Sequence, residues 1–307
     1  MLELDDDPYH TRALASSDVI DMRELTEAVG WSVAPWRLGL YQNVAHALGV
    51  WRGETLVATI AAFRLGAADI SIGQLIVHPS VQRQGLGRRL LQTVLDHCPN
   101  DHFRLIATSA GFPLYSDMGF SSAGEVWRME CDAWDKSGRD PTNPVQDERT
   151  TSAKRQGDRD LPSPFQALRP EHVTKLSDLD RNYTGLCRAA LFQSLVECGE
   201  TSVISHGHGS TWHCAALALM ERGVMRLGPL LAPTEEAAVA LLQDAAACAK
   251  QAGIAMRVDA YAHHELLLKT ACQLGFQVKM QSPFMTLSRG DHPSPCNLFF
   301  CFDPAVT

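Results

Sequence analysis

Nothing in this chain approaches 18 consecutive apolar residues, so no segment is expected to cross a membrane as a helix. The opening MLELDDDPYH is acidic and lacks the apolar stretch of a secretory leader. Among the nine cysteines there is no CxxC pair and no zinc-like spacing. An odd cysteine count within apolar runs, as at Cys98, Cys248 and Cys272, fits buried free thiols. The expectation is a cytoplasmic protein. His206, His208 and His213 have no carboxylate at ligand spacing, so that segment reads as a polar turn and no metal is expected. Positive charge is not in excess either. With 27 basic and 35 acidic residues the net charge is −8, which argues against a general nucleic-acid binder. What remains is a globular chain of 307 residues, 45% apolar, long enough for two domains.

The most informative run is QLIVHPSVQRQGLGRRLL, residues 74 to 91. A short apolar strand, Gln74 to Val77, meets Pro79, which cannot continue a ladder. The turn Gln82-Arg83-Gln84-Gly85-Leu86-Gly87 follows. Then comes an amphipathic helix with Leu86, Leu90, Leu91, Val94 and Leu95 on one face. Backbone N–H groups at such a helix start suit a phosphate, and Gly85 and Gly87 let the backbone approach it. A P-loop fails here because no lysine and hydroxyl residue stand where GxxxxGK[ST] needs them. The dinucleotide pattern GxGxxG fails at Leu90. The pattern [QR]-x-x-G-x-[GA] after Val-x-Pro fits at Val77, Pro79, Gln82, Gly85 and Gly87. In these residues the chain resembles the GNAT superfamily of acyl-CoA N-acyltransferases. The resemblance implies that the turn wraps the pyrophosphate of coenzyme A, with acetyl-CoA as acyl donor.

A second segment carries the same resemblance. Phe103 to Thr108 reads as another apolar strand, and SAGFPLYSDMGF (109–120) follows it. Its ending, Leu114 to Phe120, is similar to the GNAT segment that closes the coenzyme site. The resemblance implies that Tyr115 sits beside the thioester sulfur and returns a proton to the departing thiolate. A phenol, with a reference pKa of about 10, can do so, and burial keeps it neutral. The implied coenzyme contacts are Leu75, Ile76 and Val77, pairing with the pantetheine arm. Gln82, Arg83, Gln84, Gly85, Leu86, Gly87 and Arg88 would surround the pyrophosphate. Arg83, Arg88 and Arg89 are either phosphate partners or a solvated helix face. A backbone N–H near Val77 would polarise the thioester carbonyl. None of the cysteines has a recognisable histidine partner, so direct transfer is expected.

Composition divides the chain. Residues 132–164 are rich in Asp, Arg, Pro, Thr and Gly and nearly empty of aliphatics, which reads as a polar linker. It separates residues 1–131 from 165–307. The first part reads as a helix over Ser17 to Val29 and a hairpin turning at Arg52-Gly53-Glu54. The strand and helix of the glycine turn, strand 103–108, a short helix at Tyr115 and a strand near Val126 to Cys131 follow. The order predicts α/β with a mixed sheet. The second part repeats it: helical patterns with Leu179, Leu186, Leu191 and Leu195 inside, strands at 203–205, 213–219 and 225–231, helix 235–251, strand 255–260, a helix ending in Gly275-Phe276, and strands near 281–287 and 297–302. Both parts thus read as an internal duplication. The second copy is degenerate. Its turn, APTEEAAVALL, has Glu235 and Glu236 where a pyrophosphate would be repelled, and Ala271 stands at the place of Tyr115. Segments 226–232 and 257–260 resemble the C-terminal half of tandem, YitH-like GNAT proteins, as does Trp31 after Gly30. That resemblance implies two GNAT-like domains, each a twisted mixed sheet flanked by helices and splayed between its fourth and fifth strands.

The implied reaction is acetyl transfer to an amine of a small molecule. Acetylation of protein lysines or N-termini, and an acyl-CoA-binding regulatory module without turnover, stay open as alternatives. Acceptor candidates are Trp31 and Trp36, where aromatic rings can stack a substrate, and Tyr183, Arg188, Arg226 and Asp259, polar residues set in apolar segments. For a general base, the stretch before Gln74 offers only Asp69; His78 or a water chain are the other readings. The oligomeric state is open.

Overall fold

The same order of elements is written twice. The first part runs β1 (Tyr9–Ala13), α1 (Val19–Ala28), α2 (Pro35–Val44), β2 (Ala45–Arg52), β3 (Thr55–Arg64), β4 (Asp69–Val77), α3 (Leu86–His97), β5 (His102–Ile106), α4 (Phe112–Asp117), β6 (Ser121–Cys131). The second runs β7 (Gln166–Ala167), α5 (Pro170–Thr184), α6 (Ala189–Cys198), β8 (Thr201–His208), β9 (Thr211–Glu221), β10 (Val224–Leu231), α7 (Glu235–Ala252), β11 (Ala255–Tyr261), α8 (Glu265–Gln273), β12 (Gln277–Leu287). This computed structural model describes residues 8–31, 33, 35–99, 101–132, 163–208, 211–288 and 297–303. Most of the polar stretch at 132–164 therefore lies outside the described residues.

All strands join one mixed sheet in the order β1-β2-β3-β4-β5-β12-β6-β11-β10-β9-β8-β7. The order is a palindrome. Among the described residues only β4–β5 and β10–β11 are parallel, and the other pairs are antiparallel. Its centre is a strand exchange. The last strand of the chain, β12, enters between β5 and β6, with Phe284 opposite Ile106 on one side and Gly124 on the other. In turn β6 lies against β11, with Arg128 opposite Asp259.

Helices cover both faces. α1, α2, α5 and α6 share one continuous core, built on residues such as Leu25, Tyr41, Leu179, Phe192 and Leu217. The opposite face carries two separate cores: α3 and α4 over Leu105 and Phe103, and α7 and α8 over Met256 and Val258. The long helical pattern of the second part is two helices. Gly185 ends α5 at φ 72°, a left-handed value that glycine adopts freely.

A buried ion pair fixes that break. Asp180, inside α5, accepts from Arg188 Nη2 at 2.6 Å and Nε at 3.1 Å, from the Arg188 amide at 3.0 Å, and from Thr184 Oγ1 at 2.9 Å. Both partners are essentially unexposed, at 0% and 1% of their side chains. Asp180→Ala leaves the guanidinium buried and uncompensated, so it should destabilise the protein by about 3–5 kcal/mol. The double variant Asp180→Leu/Arg188→Met should recover most of that loss in urea unfolding. A double variant as unstable as the single one would show that the pair does more than balance itself.

Parallel pairing of β4 with β5 stops early. It covers Asp69–Ser71 against His102–Arg104, and beyond that the strands diverge. The same happens where Val224–Arg226 of β10 leave Ala255–Arg257 of β11. Two V-shaped clefts result, one in each half, and they differ in what fills them.

Candidate functional site

β4 ends at Val77 because Pro79 follows, and Pro79–Val81 forms one 3₁₀ turn. His78 caps that turn, its Nδ1 accepting from the Ser80 amide at 3.2 Å, so its ring has a local structural task. Gln82 Nε2 donates to the Val77 carbonyl at 3.0 Å, and Tyr9 Oη donates to Gln84 Oε1 at 2.6 Å. Arg83 and Gly85 then take φ of 63° and 81°. The second value suits glycine and the first strains arginine, so the loop is held open by its neighbours.

Gly85 is the N-cap of α3 and supplies no side-chain cap. The first ladder bond is Arg89 N–H to the Gly85 carbonyl at 2.9 Å. The amides of residues 85 to 88 are left without a backbone carbonyl among the described residues. A built Cβ on Gly87 would lie 3.5 Å from Val77 Cγ2 and from Leu114 Cδ2, ordinary contact distances. The fold does not need a glycine there; its missing side chain keeps the mouth between β4 and α4 open. Arg83 is exposed, and Arg88 pairs with Asp117 at 3.2 Å.

The rear half has closed the corresponding places. α7 is capped by its own Thr234, whose Oγ1 accepts from the Ala237 amide at 3.3 Å. Glu235 Oε1 accepts from the Leu267 amide at 2.8 Å. The V between β10 and β11 holds the chain's own tail. The Tyr261 amide donates to the Phe299 carbonyl at 3.1 Å, and the Cys301 amide donates to the Asp259 carbonyl at 3.0 Å. Phe299, Phe300 and Phe302 are buried beside them. The strand expected near 297–302 is thus an isolated bridge at Phe300.

Tyr115 lies in the last turn of α4, buried in the core under α3 and edge-on to Phe120 at 5.9 Å. Burial pushes its phenol up to about 12. The Phe120 amide bonds the Tyr115 carbonyl at 3.0 Å, and the Phe276 amide bonds the Ala271 carbonyl at 3.0 Å. The two positions are therefore equivalent, and only the front one carries a hydroxyl. The thiols of Cys98, Cys198, Cys214, Cys248 and Cys301 are pushed up, first by burial, the reverse of what a nucleophilic thiolate needs.

On the opposite face, α2 lies over β2 and β3, and a buried ionic network joins the two halves. Arg37 reaches Asp303 at 2.8 Å and Glu221 at 3.3 Å. Arg226 reaches Asp303, Glu221, Asp259 and the Phe302 carbonyl at 3.2–3.4 Å. Arg128 and Arg257 also hold Asp259. Tyr41 lies beside Asp303 and Gln74 without closing a hydrogen bond, and burial first, then the Asp303 carboxylate, holds its phenol neutral. Gln74 takes φ 52° at a bulge of β4 against β3, and its carbonyl accepts from Thr59 Oγ1. The sequence reading missed Arg37, Tyr41 and Asp303. An arginine and a tyrosine four apart in an apolar helix was the available signal; Asp303 gave none.

Of the acceptor candidates, Trp31 is 38% exposed on the loop after α1, and Trp36 belongs to α2, its side chain lying outside the described residues. Tyr183 donates to the His213 carbonyl at 2.9 Å, and Arg188 is locked to Asp180. Arg226 and Asp259 belong to the network. Asp69 is paired with Arg104. His206 bonds Asp244 at 2.7 Å, and no group of three metal-binding side chains occurs among the described residues.

Two profiles described as "Acetyltransferase (GNAT) domain" match the chain, one over residues 33–130 and one over 176–299. A relative from Bacillus subtilis, "Uncharacterized N-acetyltransferase YitH", is 27% identical over 246 residues, 80% of this chain and 76% of the relative. A solved putative acetyltransferase from Pyrococcus horikoshii superposes with a TM-score of 0.72 at 16% identity, covering 100% of this chain and 99% of its own. A tandem GNAT protein from the clavulanic acid biosynthesis pathway gives 0.57 at 14% identity, covering 93% and 100%.

Proposed function

The chain belongs to the GNAT acetyltransferases, with two such domains in tandem, and on that premise we propose that its front half moves an acetyl group from acetyl-CoA directly to a primary amine of a small molecule. The observation that carries this reading is the contrast between the two helix starts. α3 offers uncapped amides behind a glycine N-cap, whereas α7 has capped its own. The amides of 85–88 would hold the diphosphate, with Gln82, Arg83, Gln84 and Arg88 around it. Leu75, Ile76 and Val77, past the point where β4 leaves β5, would pair with the pantetheine arm, and an amide near Val77 would polarise the thioester carbonyl. The neutral amine attacks that carbonyl; the C–S bond breaks, Tyr115 protonates the sulfur, and the proton that the nitrogen gives up returns through water to the tyrosinate. Burial lifts the phenol to about 12 and so keeps it protonated at neutral pH until the sulfur leaves.

The acceptor would enter over α2, the helix to which Trp36 belongs, beside Trp31. Arg37, Arg226 and Asp259 would shape the floor through their network, whereas Tyr183 and Arg188 have their polar groups engaged within the chain. A floor closed by the rear half favours a small amine over a protein lysine or N-terminus. A panel of small amines and peptides, followed by free-thiol release from acetyl-CoA, tests this. Turnover on peptides alone, or tight coenzyme binding without turnover on anything, would replace the reading.

The loop assignment has its own test. Gly87→Ala places a methyl in the mouth without a clash and adds up to about 1 kcal/mol of helix propensity. Thermal stability should hold or rise while acetyl-CoA binding weakens about tenfold, the scale of one lost charge-assisted hydrogen bond. Equal affinity in calorimetry would move the diphosphate elsewhere.

A further inference from the structure

The tail closes the rear V to a coenzyme, but a cavity of about 410 Å³ remains beside it. It stands at the C-terminal end of β11, on the face shared with α5 and α6. By the palindrome of the sheet this is the rear counterpart of the acceptor side. Tyr261 closes β11, Ala123 lies near the start of the exchanged strand β6, Phe284 comes from β12, Arg104 from β5 and Leu298 from the tail. Five segments of both halves meet there.

Arg104 is the unusual wall. It is fully buried. Its Nη2 donates to Asp69 Oδ1, while Nε and Nη1 have no acceptor among the described residues. Tyr261 lines the same cavity, and its hydroxyl, shielded from solvent like those nitrogens, has none there either. Buried donors without acceptors are unfavourable, and a guanidinium more so than a neutral group. Phe284, Leu298 and Ala123 supply the apolar part of the lining, and His102, His263 and Thr286 add polar edges to it. Glu125 at the rim is turned onto Trp127 Nε1 at 2.8 Å. The volume falls within the usual range for small-molecule sites.

We propose that this cavity binds a small carboxylate with an apolar body, separately from acetyl transfer. The carboxylate would accept from the unpartnered Arg104 N–H groups and from Tyr261 Oη, and the body would lie on Phe284 and Leu298. Asp69 offsets the single charge of Arg104, and the two guanidinium nitrogens left without acceptors favour a ligand that only accepts, a carboxylate, over an amide that also brings donors. The assignment stands or falls independently of turnover in the front half.

The test uses the whole protein saturated with acetyl-CoA, which keeps added acids out of the front cleft. Benzoate, phenylacetate and hexanoate are titrated beside their primary amides by ligand-observed NMR and calorimetry. At least one acid should bind at least about tenfold more tightly than its amide. Ala123→Phe fills the exposed mouth without touching Arg104 and should abolish that binding, with acetyl-CoA affinity unchanged. Arg104→Met should weaken it at least about tenfold; should that variant misfold, Ala123→Phe alone decides. Absence of acid binding, equal binding of acid and amide, or an unaltered titration with Ala123→Phe overturns the site.

Discussion

Tyr115→Phe should lower turnover with the best amine by roughly 10²- to 10⁴-fold, the span of a positioned acid, while acetyl-CoA binds as before. The ring stays, so the core under α3 and the edge contact with Phe120 survive. Only the hydroxyl goes. The pH dependence separates this from a packing effect. With the phenol pushed up to about 12 by burial, no alkaline fall in rate should come from Tyr115 until well above pH 10. Stability should show the opposite sensitivity. Unfolded tyrosine ionises near pH 10 and the folded one near 12, so the tyrosine's contribution is intact below 10 and lost between 10 and 12. Tyr115→Phe removes that share of the alkaline loss. A variant that keeps wild-type turnover, or one whose defect appears in coenzyme affinity instead, would take the acid role away from Tyr115.

What the sequence made legible was whatever a local rule governs. The hairpin at Gly53, the proline stop after Val77, the glycine turn and the two Gly-Phe endings follow from chemistry confined to a few neighbouring residues. β1 escaped because YHTRA has one half-buried residue and four exposed ones, leaving no alternation to detect. The α5–α6 break escaped because Leu179/Leu186 and Leu191/Leu195 each keep a helical spacing, which hides the five-residue step between Leu186 and Leu191, and the Asp180–Arg188 pair that fixes the corner closes in three dimensions. Two features decide how the halves work together, the strand exchange and the tail in the rear V. Both depend on pairings between residues more than a hundred positions apart, such as Asp259 with Arg128, or on a tail whose apolar residues could equally have been core. The same limit hid the buried ionic network beside α2. Asp303 matters because of Arg37, which nothing local announces.

Cutting the chain should show how far the front half depends on the rear. A fragment of residues 1–131 contains the glycine turn and Tyr115, but β5 loses β12 and the exchanged strand β6 loses both neighbours. Arg37 loses Glu221 and Asp303, and α2 loses the shared core with α5 and α6. Bare strand edges and half a core leave little to offset the entropy of ordering. As a monomer the fragment should lack a cooperative unfolding transition and bind acetyl-CoA at least about a hundredfold more weakly than the whole chain, a difference of about 2.7 kcal/mol. Co-expression with residues 163–307 as a separate chain should restore both properties, because the exchange needs strand pairing and not covalent continuity. The palindrome adds a sharper expectation. β6 and β12 are equivalent strands, so two copies of the fragment could each supply the strand the other lacks. Sedimentation should therefore find the fragment either unfolded or folded as a dimer. A folded monomer that binds acetyl-CoA like the whole protein would mean that β6 can turn back onto β5 of its own half, and that the exchange is dispensable for the site.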